Sequence, residues 1–311
     1  MVNAATAVLA TTPAVLLVLG LPQCGTDAVS DVLRRCGAQA ETASSLAHAQ
    51  HDLLSSLGNG WDSPLELPDR CFASKQATEL ESTLADAFVK TSPDHYSMAC
   101  LHGMERVLPL WQRALESDNH AYCHLLVVRH PLEVTEQFRS SHGWNRDHAL
   151  LIWLQSTLAM ERHSRGKKRV VVDSEQVRWD LDAALNRIES ALQLSLPERN
   201  HKTLLEIEAT QENSSKDQPP AATSANHGSL ILTMALQLHA WLLGEAQGEK
   251  QLIHLPQTIR QQLQLAESVM GKTLSDLSVK NETLHHQLSQ LEQRRSVRLS
   301  NWLRGARSPE A

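Results

Sequence analysis

Apolar residues along this chain fall into two kinds of run that alternate. Short unbroken blocks occur at VLLVLG (15–20), HLLVV (124–128) and RVVVD (169–173). Unbroken apolar runs this short, ended by Gly, Pro or charge, suit strands buried on both faces of a parallel sheet. Between them lie stretches with helical spacing. Val29, Val32, Leu33 and Cys36 recur at i, i+3, i+4 and i+7 and stop at Gly37, the pattern of a short amphipathic helix with a glycine end. Residues 46–57, 76–90, 104–117, 147–163, 180–193 and 229–243 carry similar periodicity, and GNGWDSP (58–64) is a turn cluster. Strands alternating with helices predict an α/β fold, a doubly wound parallel sheet flanked by helices. That domain spans residues 1–207, and a helix within 229–255 completes it. Residues 208–228 are polar and rich in Ser, Pro and Asn, which predicts a mobile loop.

From 256 to 311 the pattern predicts a helical tail. Leu274, Leu277, Asn281, Leu284, Leu288 and Leu291 alternate steps of three and four. Ile259, Leu263, Ala266 and Met270 continue the seam upstream with one extra step of four, a stutter. A polar Asn281 on such a seam can fix register in a coiled coil. Two readings stay open: a helix packed back on the domain, or a coiled coil that forms a homodimer or takes a partner helix.

The first strand ends in the stretch with the most chemical content. Gly20 and Gly25 bound four residues, and a helix begins at Thr26. Free N–H groups at a helix N-terminus, with the helix dipole behind them, bind phosphate oxygens. The layout is that of a phosphate-binding loop, but Thr26 stands where a nucleotide-hydrolysing P-loop has its lysine. The missing lysine argues against ordinary ATP or GTP chemistry. An ordinary strand-to-helix turn also uses glycine, so the loop by itself leaves both readings open.

Charge and composition narrow the field. The net charge of −6 argues against general nucleic-acid binding. The five cysteines are scattered with no CxxC pair, which predicts a reducing compartment and no zinc knuckle. Of the 16 histidines, His48 and His51 are three apart and His285 and His286 are adjacent; they read as surface polar groups, so no metal is expected. The apolar segment at 13–21 has no Lys or Arg before Arg34 and reads as a strand rather than a signal peptide. No run reaches the length of a membrane span. A cytoplasmic location is expected.

A second chemical element is VVRHPLEV (127–134). Arg129 lies just past a buried strand, at the carboxyl edge of the sheet, where open α/β folds bind ligands. Its guanidinium suits bidentate contact with phosphate. The succession GLPQCGTDAV, LLSSLGNGWDSP, VLPLWQRAL, LLVVRHPLEV, ALLIWLQSTLAMERHSRG and RVVVDSEQV resembles the bacterial sulfotransferase family over residues 14–195. Members of that family often accompany glycan-building enzymes. The tail motif RSVRLSNWLRGAR (295–307) is similar to a weakened C-terminal signature of glycan-assembly proteins.

The resemblance implies a P-loop sulfotransferase fold. It also implies 3′-phosphoadenosine 5′-phosphosulfate (PAPS) as co-substrate, without a metal, and a hydroxyl acceptor, often on a sugar. Loop residues Gly20, Pro22, Gln23, Cys24, Gly25, Thr26 and Asp27 would hold the 5′-phosphosulfate. Arg129, with Gln137 at the position of a phosphate-contact serine, would hold the 3′-phosphate. The family loop carries a basic residue, then Ser-Gly-Thr and a further Ser or Thr. Here Gln23, Cys24 and Asp27 remove a cation and two hydroxyls and add a carboxylate. The distance from the loop to Trp61 is short and reads as a deletion of the segment that carries the family's acidic residue, and CLHG (100–103) replaces a Lys-Asp-Pro-Arg stretch. Asp62, His95 and His102 are candidates for the base by location. Asp173 reads as the cap of a following turn, and Trp61, Trp111 and Trp153 read as core anchors. Two functions follow: sulfuryl transfer from PAPS to a carbohydrate hydroxyl, or an inactive sulfotransferase-fold module that binds or assembles.

Overall fold

The computed structural model describes residues 15–40, 44–57, 60–88, 97–214, 229–249 and 254–269, with 273, 276, 280, 283, 284 and 287. The chain divides into two compact units, Met1–Ile259 and Arg260–Ala311. In the first, strands β1 (Val15–Leu19), β2 (Gln39–Ala40), β3 (Ser97–Ala99), β4 (Tyr122–Val128) and β5 (Arg169–Asp173) form one parallel sheet in the order β2-β3-β1-β4-β5. The helices are α1 (Thr26–Arg35), α2 (Ser44–Ser56), α3 (Lys75–Phe88), α4 (Met104–Ser117), α5 (Pro131–His142) and α6 (Arg146–Ser164). They continue with α7 (Ser174–Trp179), α8 (Leu181–Leu192), α9 (His201–Ser214) and α10 (Leu230–Gln247).

The sheet is buried on both faces, as its unbroken apolar strands require. Leu16 and Val18 of β1, Leu125 and Val127 of β4, and Val170 and Val172 of β5 pack on one face against α1, α7, α8 and α9. Alternate residues face α6 and α10. His124 sits on that second face with no exposed surface. Gln112 Nε2 donates to its Nε2 at 3.0 Å, and its Nδ1 donates to Lys168 O at 3.2 Å. Burial holds this imidazole neutral, with its pKa lowered to about 4.

Strand order decides where a ligand can sit. The chain leaves β1 toward β2 on one side and leaves β4 toward β5 on the other, although β1 and β4 are neighbours paired as far as Leu19 with Leu126. Connections that part in this way open a crevice at the carboxyl ends of the two strands. The loop after β1 and the turn after β4 both arrive there.

Differences from the sequence pattern are local. The short strands β2 and β3 have too few residues to show a periodic signal. The polar segment expected to be mobile from 208 begins later, because α9 continues to Ser214; residues 215–228 lie outside the described residues. Of the tail, 255–269 is helical. Met270, Leu274, Leu277, Asn281, Leu288 and Leu291 of the seam lie outside the described residues. Among the described residues no helix is long and apolar enough to cross a membrane.

Candidate functional site

The loop after β1 is shaped by two glycines that no other residue can replace without movement. Gly20 has φ +155°, and a Cβ there would lie 2.7 Å from Val127 O of β4. Gly25 has φ +86°, and a Cβ would lie 2.9 Å from Ser174 Cβ at the start of α7. The loop is thus pressed against the end of β4 and the start of the helix that follows β5. Pro22–Cys24 forms one 3-10 turn, closed by Cys24 N–H donating to Leu21 O at 2.9 Å. The first bond of α1 runs from Val29 N to Gly25 O. The N–H groups of Thr26, Asp27 and Ala28 therefore have no acceptor within the helix.

The loop side chains divide sharply. Thr26 is buried, and its hydroxyl donates to Leu21 O at 3.4 Å. Cys24 is buried too, and burial pushes its thiol up to about 12, which makes it inert. Asp27 points outward, with 77% of its side chain exposed. Backbone N–H groups are what the loop can offer an anion.

Arg129 closes the other side of the crevice. Its side chain is only 11% exposed, and its nitrogens are engaged: Nε donates to Glu133 Oε2 at 2.9 Å and Nη2 lies 3.2 Å from Glu175 Oε1. Gln137, one turn further along α5, accepts from Arg129 Nη1 at 2.8 Å through its amide oxygen. Its amide nitrogen donates to the backbone and side-chain oxygens of Gln23, both at 3.1 Å. The amide orientation is the one that satisfies these neighbours. Gln23, Gln137 and Arg129 thus form one network between loop and arginine. Helix α5 is started by His130, whose Nδ1 accepts from Leu132 N, with Pro131 in its first turn. Asp173 caps α7 by accepting from Glu175 N at 3.0 Å, which aims Glu175 back at Arg129.

Beside this network lies a cavity of about 330 Å³ between α1, α7 and α9. Gly25, Val29, Arg129, Ser174, Arg35 and Arg178 are among its walls. Ser174 Oγ is buried without a hydrogen-bond partner. An apolar cleft of this size with a few polar groups converging on it is the usual form of a small-ligand site.

The three base candidates part ways. His102, just after β3, comes to the loop: its Nε2 is 3.9 Å from Asp27 Oδ1, and its side chain is 48% exposed. Asp62 lies in the turn that carries Trp61 and acts electrostatically on His148, which is not part of the loop. His95 lies outside the described residues. Trp111 and Trp153 are core side chains, but Trp61 is not: it is partly exposed among other rings. A carboxyl with no sequence signal stands nearby. Glu105, near the start of α4, is 1% exposed, accepts from Ser156 Oγ, and leaves Oε2 unpartnered. Burial raises its pKa to about 7. Among the described residues no group of His, Cys, Asp and Glu is placed to hold a metal ion.

Strand order and loop define a doubly wound parallel α/β protein with a glycine-bounded loop after its first strand. No protein-family model matches the chain, and no curated protein matches it by sequence. It is similar to a solved sulfotransferase domain of the olefin synthase of Synechococcus PCC 7002, at 18% identity and TM-score 0.45, over 74% of this chain and 96% of that one. It is also similar to mouse sulfotransferase SULT7A1 complexed with PAP, at 16% identity and TM-score 0.36, over 71% and 72%. A third likeness is to the sulfotransferase domain of the curacin biosynthetic pathway, at 12% identity and TM-score 0.39, over 77% and 99%.

Proposed function

We propose that the crevice between β1 and β4 binds a 3′-phosphoadenosine nucleotide, and that the protein transfers the sulfuryl group of PAPS to a hydroxyl of a carbohydrate. One observation carries this reading: a single cavity opens both on Gly25, at the N-terminus of α1, and on Arg129. A nucleoside in that cavity would have the loop N–H groups at its 5′ side and the arginine at its 3′ side. Ser174 Oγ, buried without a partner, is free to bond it. In the transfer, the acceptor oxygen forms a bond to sulfur while the bond from sulfur to the bridging phosphate oxygen breaks. The electron pair leaves with adenosine 3′,5′-bisphosphate, and the acceptor proton goes to His102. The exposed imidazole, with Nε2 3.9 Å from Asp27 at the start of α1, is placed to take that proton. The loop N–H groups take up the charge that develops on the leaving phosphate.

A second reading has specific support. The loop has no cation, Asp27 adds an anion, and Arg129 already holds two carboxylates. These features favour a module that binds without transfer. Calorimetric titration with adenosine 3′,5′-bisphosphate separates the two, and binding is the expected result. No heat at millimolar nucleotide removes the transferase and leaves the binding module. Turnover of PAPS with release of the bisphosphate in the presence of acceptor completes the first reading.

The tail we assign to self-association through its leucine seam. Full-length protein is expected to sediment as a dimer and a chain cut after residue 255 as a monomer. A monomeric full-length chain overturns the assignment.

A further inference from the structure

We propose that the aromatic face formed by Trp61, His142 and Trp144 is the acceptor subsite, and that it holds a neutral pyranose ring stacked on indole. The proposal rests on the transferase reading above and adds to it the surface that recognises the sugar.

Two segments distant in sequence build this face. Trp61 comes from the turn after α2, and His142 and Trp144 from the last turn of α5 and its link to α6. The rings of Trp61 and Trp144 are 5.9 Å apart at 38°, and those of His142 and Trp144 are 4.7 Å apart at 35°. Phe138, fully buried, lies 4.8 Å from Trp144 and 6.1 Å from Trp61, and supports both from inside. The supported rings are themselves partly exposed and His142 is exposed. Large aromatic side chains of a soluble protein held rigid at the surface are a binding feature rather than a core feature.

Gly103 ties this face to the loop. It has φ +81°, and a Cβ there would lie 2.9 Å from Trp61 Cβ. Trp61 is seated where a side chain at 103 would stand. The residue before that glycine is His102, whose ring is 6.5 Å from Trp61 and whose Nε2 is 3.9 Å from Asp27. A ring stacked on Trp61 and Trp144 would therefore have a hydroxyl within reach of the imidazole at the phosphate loop. None of these aromatic residues lines the cavity between α1, α7 and α9, so sugar and nucleoside would not compete.

The chemistry around the rings selects the occupant. A pyranose has an apolar face of C–H groups and a rim of hydroxyls. Rigid indoles offer large contact area to such a face at low entropic cost. Asp62, His102 and His142 supply hydrogen-bonding groups for the rim. Asp27 and Asp62 place carboxylates beside the face, and the chain carries a net charge of −6. Both disfavour a sugar that is already sulfated or carboxylated.

The test is an NMR titration of the full chain, reading the indole N–H resonances while cellotriose or chitotriose is added. The resonances of Trp61 and Trp144 are expected to shift, with a dissociation constant on the order of 1 mM, while those of buried Trp111 and Trp153 stay. Trp144→Ala should weaken binding about tenfold or more, as for an aromatic anchor. Trp144→Phe, which keeps a ring and guards against misfolding, should retain most of it. Neither should change the affinity for adenosine 3′,5′-bisphosphate. Unmoved Trp61 and Trp144 resonances with both saccharides, or full binding by Trp144→Ala, overturns the subsite; so does a preference for 4-nitrophenol over the saccharides. If saccharide binds and the bisphosphate does not, the transferase reading falls while the sugar-binding face stands.

Discussion

Gln137 bridges the loop and Arg129, accepting from the guanidinium at 2.8 Å and donating to Gln23 at 3.1 Å. In sequence these two glutamines replace a serine and a cation of the sulfotransferase pattern. In space they complement each other. The amides hold the loop and the arginine in fixed relation, and they do so without adding charge.

Arg129→Ala is expected to weaken binding of adenosine 3′,5′-bisphosphate by about 1.5–3 kcal/mol, the range for a hydrogen bond to a charged group. Gln137→Ala should cost less, about 1 kcal/mol, because its bonds to Arg129 and Gln23 act only through position. Calorimetry on both variants decides. An unchanged affinity in Arg129→Ala removes that residue from the phosphate site.

Gly25→Ala tests the fit of the loop against α7. An L residue at φ +86° is strained, and its methyl group would meet Ser174 Cβ at 2.9 Å. Backbone strain of this kind costs about 1–2 kcal/mol, and the clash adds to it. Urea unfolding should show the loss, and nucleotide binding should fall with it. A variant as stable as the parent would mean that α7 gives way.

Glu105 makes stability depend on pH in one direction. Its folded-state pKa of about 7 exceeds the ordinary carboxyl value of 4.5, so the folded protein binds the extra proton between those values. Its contribution is fully present below about 4.5 and is lost as pH rises through 7. Glu105→Gln keeps the acceptor for Ser156 and cannot ionise. It should match the parent at low pH and exceed it at pH 8 by on the order of 2–3 kcal/mol. Equal thermal stability at both pH values contradicts this.

His124 and His239 act in the opposite direction. Burial lowers both imidazoles to about 4, with His130 adding to the effect at His239. The unfolded chain binds their protons first, so the stability they contribute is present above 6.5 and is lost as pH falls toward 4. An acid unfolding limb is expected in that window, shallower in His124→Gln. An unaltered limb would show that burial of this imidazole carries none of it. Glu105 offsets part of the slope above 4.5, and the double variant separates the two.

Much of the frame was legible in the chain. The blocks at 15–20, 124–128 and 169–173 became β1, β4 and β5, because a strand buried on both faces must be apolar throughout. The helix after Thr26 followed from its spacing, and the convergence of loop and Arg129 follows from parallel topology. Asp173 caps the next helix, as its place after a strand suggested. Trp61 was misread as core. A tryptophan in a turn cluster has no periodicity to say which way it faces, and only Gly103 and Phe138 fix it at the surface. Glu105 gave no signal, since a carboxylate inside a helical pattern looks like a solvated side chain until the fold closes over it.

The sequence by itself determined the layers, the two glycines of the loop and the arginine at the sheet edge, because each depends on backbone conformation or on apolar runs local to a few residues. Tertiary structure decided what those residues can touch. It turned the hydroxyl of Thr26 and the thiol of Cys24 inward, joined Gln23 to Gln137, gave Arg129 two carboxylates, and brought His102 to Asp27. Each of those contacts joins side chains from different elements, and their distances are set by packing across the sheet rather than by spacing along the chain.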